Sequence, residues 1–335
     1  MIRTIRAGCL LLTLLACPPP ALAWDSSRPE VGSFISELAA EGFERGWLEA
    51  TLAGGRTQQR ILEAMRRPAE KTKPWHEYRA IFLTPERIAA GAEFRRQHAD
   101  TLARVASDSG VPAEIIAAII GVETFYGQRT GRFRVLDALG TLAFDYPPRA
   151  GFFRRELREF FLLAREEDLA VGDVLGSYAG AMGAPQFIPS SYRAYAVDGD
   201  GDGRRDLFGS WDDIIASVAN YFVAHRWEPD APVFAPAQPL PGATPPTSDN
   251  RLSLRDTVGS LRERGIATAG DPPAELRAAL FELQGAEQPE YWVGFHNAYV
   301  ITRYNRSVMY ALAVYQLAEA LAAEPAGPLA AQAGS

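Results

Sequence analysis

The sequence predicts a mainly α-helical fold, α+β overall, with a small β-containing unit toward its C-terminal end. Three observations carry this. Apolar residues recur at helical spacing through most of the 335-residue chain. Seven prolines crowd residues 228–246, which excludes a helix there and marks a boundary. Directly beyond them, EYWVGFHNAYVITRY is rich in aromatic and β-branched residues and reads as strand with a turn. With 47% hydrophobic and 22% charged residues, the composition is that of a globular protein large enough for a sizeable core.

The first element is an expected signal peptide, residues 1–23. Arg3 and Arg6 form a basic start, Ala7 to Ala16 a short apolar run, and Pro18 to Pro20 end it. Ala21-Leu22-Ala23 then matches a small-x-small cleavage site before Trp24. The run is too short to span a membrane. A lipoprotein reading of Leu14-Leu15-Ala16-Cys17 is disfavoured, because Leu15 is not the small or β-branched residue usual at that place. Cys9 and Cys17 are the only cysteines, so a chain cut after Ala23 relies on its core and not on disulfides. Cleavage takes the formal charge from −7 to −9, and no Lys/Arg cluster suggests nucleic acid as a partner.

The helices follow in order. SFISELAAEGFERGW sets Phe34, Ile35, Leu38 and Phe43 near 3.6-residue spacing. Thr84-Pro85 is a helix start, with Arg87 where a capping box would carry Glu or Gln. VPAEIIAAIIGVE is a helix with Pro112 in its first turn, ended by Gly127. RRELREFFLLAREE is another. WDDIIASVANYFVAHRW carries the stripe Ile214, Ile215, Val218, Tyr221 and Phe222, read as core except for Tyr221. SVMYALAVYQLAEALAAE is the final helix, and the tail after it lacks periodicity. The expected units are a helical domain at 24–105 joined by a C-terminal helix at 306–325, a core at 106–227, a small α+β domain at 228–305, and a disordered tail at 326–335.

Within IIGVETFYG, Glu123 shares a helical face with Ile116, Ile119 and Ile120. A carboxyl held against isoleucines loses solvation, which raises its pKa and suits it to act as a general acid. The alternative is a helix-end Glu turned to solvent. Farther on, GSYAGAMGAPQFIPSSY packs small residues, an amide and hydroxyls into a Gly-rich loop that lets backbone approach a ligand. Ser177 and Gln186 there offer donors and acceptors suited to sugar hydroxyl and acetamido groups.

In VDGDGDGRRDLFGSWDD, Asp198, Asp200 and Asp202 take the first, third and fifth places of an EF-hand-like loop, with Gly203 at the sharp sixth. Arg204 would give its carbonyl, and Asp206 would bind through water. Calcium, in a structural role, is the expected cofactor. The four histidines are scattered and form no zinc motif, and no organic cofactor is expected.

GVETFYG, DALGTLAFDYPPR, SYAGAMGAPQFIPSSY, VDGDGDG, SVANYF and ITRYNRS together resemble, in order, the motifs of the lytic murein transglycosylase B family, over roughly Trp75 to Tyr315. The resemblance implies a lysozyme-like helical core and an exported, periplasmic enzyme of a Gram-negative bacterium that cleaves peptidoglycan. A Cys17-anchored outer-membrane form is the lesser alternative. It implies Glu123 as sole acid/base, Ser177, Gln186, Tyr221, Tyr304 and Asn305 along the saccharide groove, and Tyr78 more loosely. Arg149 is the expected stem-peptide contact, although Pro148 stands where the family often has a first arginine. Asp213 is implied as the closing calcium ligand. Glycan strands are the implied partner, with cell-wall synthesis proteins as further candidates and the chain acting as a monomer.

With one carboxyl, the implied reaction closes a 1,6-anhydro ring between N-acetylmuramic acid C1 and C6. A hydrolytic muramidase would need a second carboxylate. Asp145 reads as a structural contact and Glu156 as part of a solvated helix face. A non-catalytic cell-wall binder is the remaining alternative, and the presence of Glu123 argues against it.

Overall fold

The computed structural model describes residues 24–66 and 73–324. The expected signal segment and C-terminal tail lie outside the described residues. Helices α1 (Pro29–Ala40), α2 (Arg45–Ala53) and α3 (Gln59–Arg66) come first, then α4 (Trp75–Ala80), α5 (Pro85–Gln97), α6 (Ala99–Ser109) and α7 (Ala113–Thr124). The two-residue strands β1 (Phe133–Arg134) and β2 (Leu175–Gly176) pair across α8 (Val135–Phe144) and α9 (Ala150–Glu166). Helices α10 (Pro189–Tyr195) and α11 (Trp211–Ala224) complete the central region.

α1 buries Val31, Phe34, Ile35 and Leu38, the face its spacing predicts. Phe34 meets the rings of Phe144 on α8 and Phe161 on α9 edge-on, at 5.8 and 6.0 Å. A polar seam reinforces that contact. Asp137, Thr141 and Asp145 stand four residues apart along α8 and its cap, so they share one face. Asp137 accepts from the Arg56 amide (3.0 Å), Thr141 from the Gln58 amide (2.9 Å), and Asp145 from the Thr57 hydroxyl (2.7 Å). Trp24 joins them. Its indole is fully buried and donates to Asp145 at 3.1 Å. Gly55 and Gly140 make room for the ring, since a Cβ on either would come within 2.3 Å of it.

α5 begins where the Thr84-Pro85 signal puts it, with the Thr84 hydroxyl accepting from the Arg87 amide at 3.2 Å. α7 is buried almost along its whole length. It packs against α5, α6, α11 and the final helix.

The C-terminal unit is an antiparallel sheet of β3 (Phe234–Pro239), β4 (Asp256–Thr257), β5 (Ile266–Thr268), β6 (Arg277–Gln284) and β7 (Pro289–Gly294), in the order β4-β6-β7-β3-β5. Strand β6 is buried on both faces. Ala279, Phe281 and Leu283 join the main core. Ala278 and Leu280 face a smaller core under α12 (Val258–Glu263). This is the period-two alternation of a strand.

The stretch EYWVGFHNAYVITRY departs from its expected form. β7 ends at Gly294, and the rest of the stretch forms α13 (His296–Ile301) where strand with a turn was expected. Asn297, fully buried, donates to the carbonyls of Glu228 and Ala231 and accepts from the Glu228 amide. Ala298, Val300 and Ile301 pack into the main core. Those tertiary contacts outweigh the β-propensity of Val300 and Ile301. The last helix, α14 (Val308–Ala323), runs back against α7, α5 and α4.

Candidate active site

Glu123 lies one residue before the C-terminal end of α7 and is half-buried. Ile116, Ile119 and Ile120 are fully buried beneath it. Tyr310 on α14 donates its hydroxyl to Glu123 Oε1 at 2.5 Å. Burial, and next the Glu123 charge, push the Tyr310 phenol well above its ordinary value, so it stays a donor. Sequence reasoning missed Tyr310, because a tyrosine in an apolar helix reads as core. Tyr304 feels the same carboxylate, and burial is again the larger cause of its raised pKa.

The expected groove residues Tyr221, Tyr304 and Gln186 come together around these. Tyr221 and Tyr304 lie 4.7 Å apart between ring centres. Tyr304 donates to the Pro185 carbonyl at 2.7 Å, and Tyr221 to the Arg303 carbonyl at 2.6 Å. Tyr221, excepted from the core in its apolar stripe, is buried in the main core with the other members, and its hydroxyl ties α11 to the segment carrying Tyr304 and Asn305. Asn305 is half-buried.

Gln186 is a non-glycine residue at φ 53°, and its side-chain amide donates to the carbonyls of Thr130 and Gly183 at 3.0 and 3.1 Å. Ser177 accepts from the amides of Ala179 and Ala181, at 3.3 and 3.0 Å, which fixes the turn it occupies. The buried Thr124 hydroxyl donates to the Ala184 carbonyl at 2.8 Å, fastening the end of α7 to this loop. Tyr78 is buried beside Phe82, at 5.3 Å between ring centres. Arg149 stands apart. It is exposed, and its guanidinium lies over Phe152 and Phe153 at 4.4 and 5.1 Å.

Glycine does not end α7, contrary to expectation. Phe125 and Tyr126 take left-handed φ values of 52° and 56° before Gly127 at 82°. Consecutive non-glycine residues in this region cost energy, about 1–3 kcal/mol each, and persist where packing fixes them. The fixing contacts are on α5 and α7. The Tyr126 ring and hydroxyl fill the space a Cβ would take on Gly91 and Gly121, at 2.1 and 2.6 Å. Arg87, one turn before Gly91, lies over the Phe125 ring at 5.1 Å.

The two carboxylates considered as partners for Glu123 have other engagements. Asp145 accepts from Trp24, Thr57 and Arg28, the structural role expected of it. Glu156 is not on a solvated face, which corrects the expectation. It is 5% exposed and accepts from the Ser190 amide and hydroxyl at 3.0 and 2.9 Å. The packing of α10 across α9 buries it.

In the acidic loop, carboxylate oxygens of Asp198, Asp200 and Asp202 all lie within 4.8 Å of one another. Calcium–oxygen distances of about 2.3–2.6 Å allow one ion to touch oxygens that far apart, so this donor set fits calcium. Asp213 is outside that trio. Its two oxygens accept from the Gly199 and Asp206 amides at 2.7 and 2.6 Å, closing the loop onto α11. Asp206 itself accepts from the amides of Phe208 and Gly209.

The family model described as the transglycosylase SLT domain matches residues 26–319. The membrane-bound lytic murein transglycosylase B of Escherichia coli (strain K12) is 39% identical over 309 residues, 89% of this chain and 84% of that protein. The soluble lytic transglycosylase SltB1 from Pseudomonas aeruginosa is 49% identical, with TM-score 0.83 over 88% of this chain and 98% of that one. Escherichia coli lytic transglycosylase Slt35, solved in complex with calcium, is 38% identical, with TM-score 0.81 over 90% and 96%. SltB3 from Pseudomonas aeruginosa, solved in complex with NAG-NAM-pentapeptide, is 31% identical, with TM-score 0.80 over 90% and 80%.

Proposed function

The chain belongs to the transglycosylase SLT domain family of lytic murein transglycosylases, peptidoglycan-cleaving enzymes, and we propose that it uses Glu123 alone to cut the bond between N-acetylmuramic acid and N-acetylglucosamine. Glu123 gives its proton to the glycosidic oxygen as the C1–O bond breaks, and positive charge develops at C1. The resulting carboxylate takes the proton of the C6 hydroxyl of the same sugar. That oxygen attacks C1, the 1,6-anhydro ring closes, and Glu123 is again protonated. One group serves as acid and then base, and water is not consumed.

The observation that carries this reading is the pairing of Glu123 with Tyr310 while Asp145 and Glu156 serve structural bonds. A hydrolytic muramidase would need a free second carboxylate to activate water or to attack C1. The Tyr310 hydroxyl orients Glu123 and stabilises its charged form between the two proton transfers. Ser177, Gln186, Tyr221, Tyr304 and Asn305 line the path of the glycan, with Tyr78 behind Tyr310 and Arg149 toward the peptide stem.

Asp198, Asp200 and Asp202, with the Arg204 carbonyl, would hold calcium. The ion would offset the repulsion among the three carboxylates and stiffen the connection into α11, which carries Tyr221. The basic, apolar and small-residue pattern of residues 1–23 supports export to the periplasm, where the substrate lies.

The test is digestion of purified peptidoglycan by the mature protein, with mass spectrometry of the released muropeptides. Products one water lighter than hydrolytic fragments, ending in 1,6-anhydromuramic acid, are expected. Ordinary reducing ends would replace this reading with the muramidase one.

A further inference from the structure

Two arginines share the ring of Phe125, two residues beyond Glu123. The Arg129 guanidinium lies 4.8 Å from the ring centre and that of Arg87 5.1 Å. Arg87 is 7% exposed, and its Nη1 is spent on the Ile81 carbonyl while its Nε has no partner among the described residues. Burial disfavours the Arg87 charge, Tyr126 beside it acts the other way, and the nearby Arg129 cation disfavours it further. Among the described residues, neither arginine forms an ion pair with a carboxylate.

This arrangement is costly in isolation. A buried cation without a counter-anion loses hydration that nothing restores. A cation–π contact returns only about 0.5–2 kcal/mol. The chain is not short of acid, with 41 Asp and Glu against 34 Lys and Arg. A buried guanidinium, Arg87, and an exposed one, Arg129, therefore share the ring two residues after Glu123 in a protein of net negative charge. A ligand carboxylate would supply the missing charge.

The position suits a ligand. Arg129 is exposed, and its amide donates to the Thr124 carbonyl at the end of α7 (2.9 Å). The carbonyl of the next residue, Thr130, accepts from Gln186 at 3.0 Å. Arg129 is thus anchored between the helix that bears Glu123 and the loop that bears Gln186.

We propose that Arg129, with Arg87 buried behind it, forms a carboxylate-binding subsite that reads the peptide stem of the glycan strand. This rests on the transglycosylase reading and names what sets its preference among strands. Murein saccharides carry lactyl-linked peptides with free carboxylates, and an arginine fork meets a carboxylate through two parallel hydrogen bonds. Arg87 is a positioning residue. It packs on the Phe125 ring that Arg129 also contacts and adds a second positive charge. Arg149 does not duplicate this role, because it stacks on a different pair of rings.

The experiment measures binding in the Glu123→Gln background, so that it does not depend on turnover. Its ligands are a disaccharide–pentapeptide, the same compound with its C-terminal carboxylate amidated, and the peptide-free disaccharide. Arg129→Ala should weaken the disaccharide–pentapeptide about tenfold, equivalent to about 1.4 kcal/mol, and leave the peptide-free disaccharide unchanged. Arg129→Lys, which keeps the charge but not the fork, should fall between. If amidation erases the tenfold difference, the terminal carboxylate is the one read. If the difference survives amidation, an internal carboxylate of the stem is read. Equal weakening of all three ligands, or no weakening of any, would overturn the subsite. If the unmutated protein gives hydrolytic ends on peptidoglycan, the reaction assignment fails while these affinities still decide the subsite.

Discussion

Tyr310 donates to Glu123 across the packing interface of α14 with α7, although 187 residues separate them in sequence. The proposed acid/base group is thereby held by the last helix of the described chain. A hydrogen bond to a charged partner contributes about 1.5–3 kcal/mol net. Because the donor favours the carboxylate, its removal should make Glu123 hold its proton to higher pH. Tyr310→Phe should therefore lower kcat about tenfold or more and move the alkaline limb of the pH–activity profile upward. The raised Tyr310 pKa means that loss of its own proton does not shape that limb in the unmutated protein. A profile that shifts downward would count against this role.

Glu123→Gln removes the proposed proton donor while keeping an acceptor for Tyr310. Cleavage should fall by at least about 10²–10⁴-fold, the usual share of acid–base catalysis. The far-ultraviolet dichroism and affinity for glycan fragments should remain. Turnover within a few-fold of the unmutated protein would exclude Glu123 as the acid.

For the acidic loop, calcium should raise Tm, since binding to the native state at about 100 times Kd adds about 2.7 kcal/mol. The double change Asp200→Asn with Asp202→Asn removes two of the three clustered carboxylates and should abolish the gain. Identical melting of the unmutated protein in calcium and in chelator would remove the folding role of the ion.

Burial raises the Glu156 carboxyl above its ordinary range, by more than the Ser190 bonds lower it. The native state then binds the proton more readily than the unfolded chain. Stability from this group is fully present below the unfolded pKa and is lost as pH rises through the folded one. Glu156→Gln keeps an acceptor for Ser190 without the charge. Its Tm advantage should be near zero below about pH 4 and should grow toward neutrality. A pH-independent difference in Tm would contradict the linkage.

Trp24→Ala empties the socket formed by Gly55, Gly140 and Asp145. Urea denaturation should show a loss of about 3–5 kcal/mol. Trp24→Phe keeps the apolar body and forfeits the 3.1 Å bond to Asp145, so its loss should be smaller. Equal losses in the two variants would assign the whole effect to that bond.

The sequence made some of this legible for identifiable reasons. The clustering of the aspartate trio was readable because spacing in such a loop is local, and the partial burial of Glu123 because a charge in an apolar run is conspicuous. Tyr310 was hidden because its partner lies in another segment and its own helix shows only an apolar pattern. Glu156 misled because a helix rich in charge does not reveal which of its carboxyls another helix will cover. Phe125 and Tyr126 hid their backbone conformation behind Gly127, the residue that usually ends a helix. Their left-handed turn is imposed by glycines on two helices, Gly91 and Gly121, which no local pattern reports.

The polar seam of α8 bears on how this architecture can be inherited. Asp137 and Thr141 are buried and find their partners in residues 56–58. A descendant that shed its first three helices would leave Thr141 without the Gln58 amide and Asp137 with Arg134 alone, at about 1–3 kcal/mol for each lost partner. Such a deletion would succeed only with simultaneous change at Asp137, Thr141 and Asp145. The leading helices are therefore not a portable module, and recombination that preserved activity would carry them together with α8.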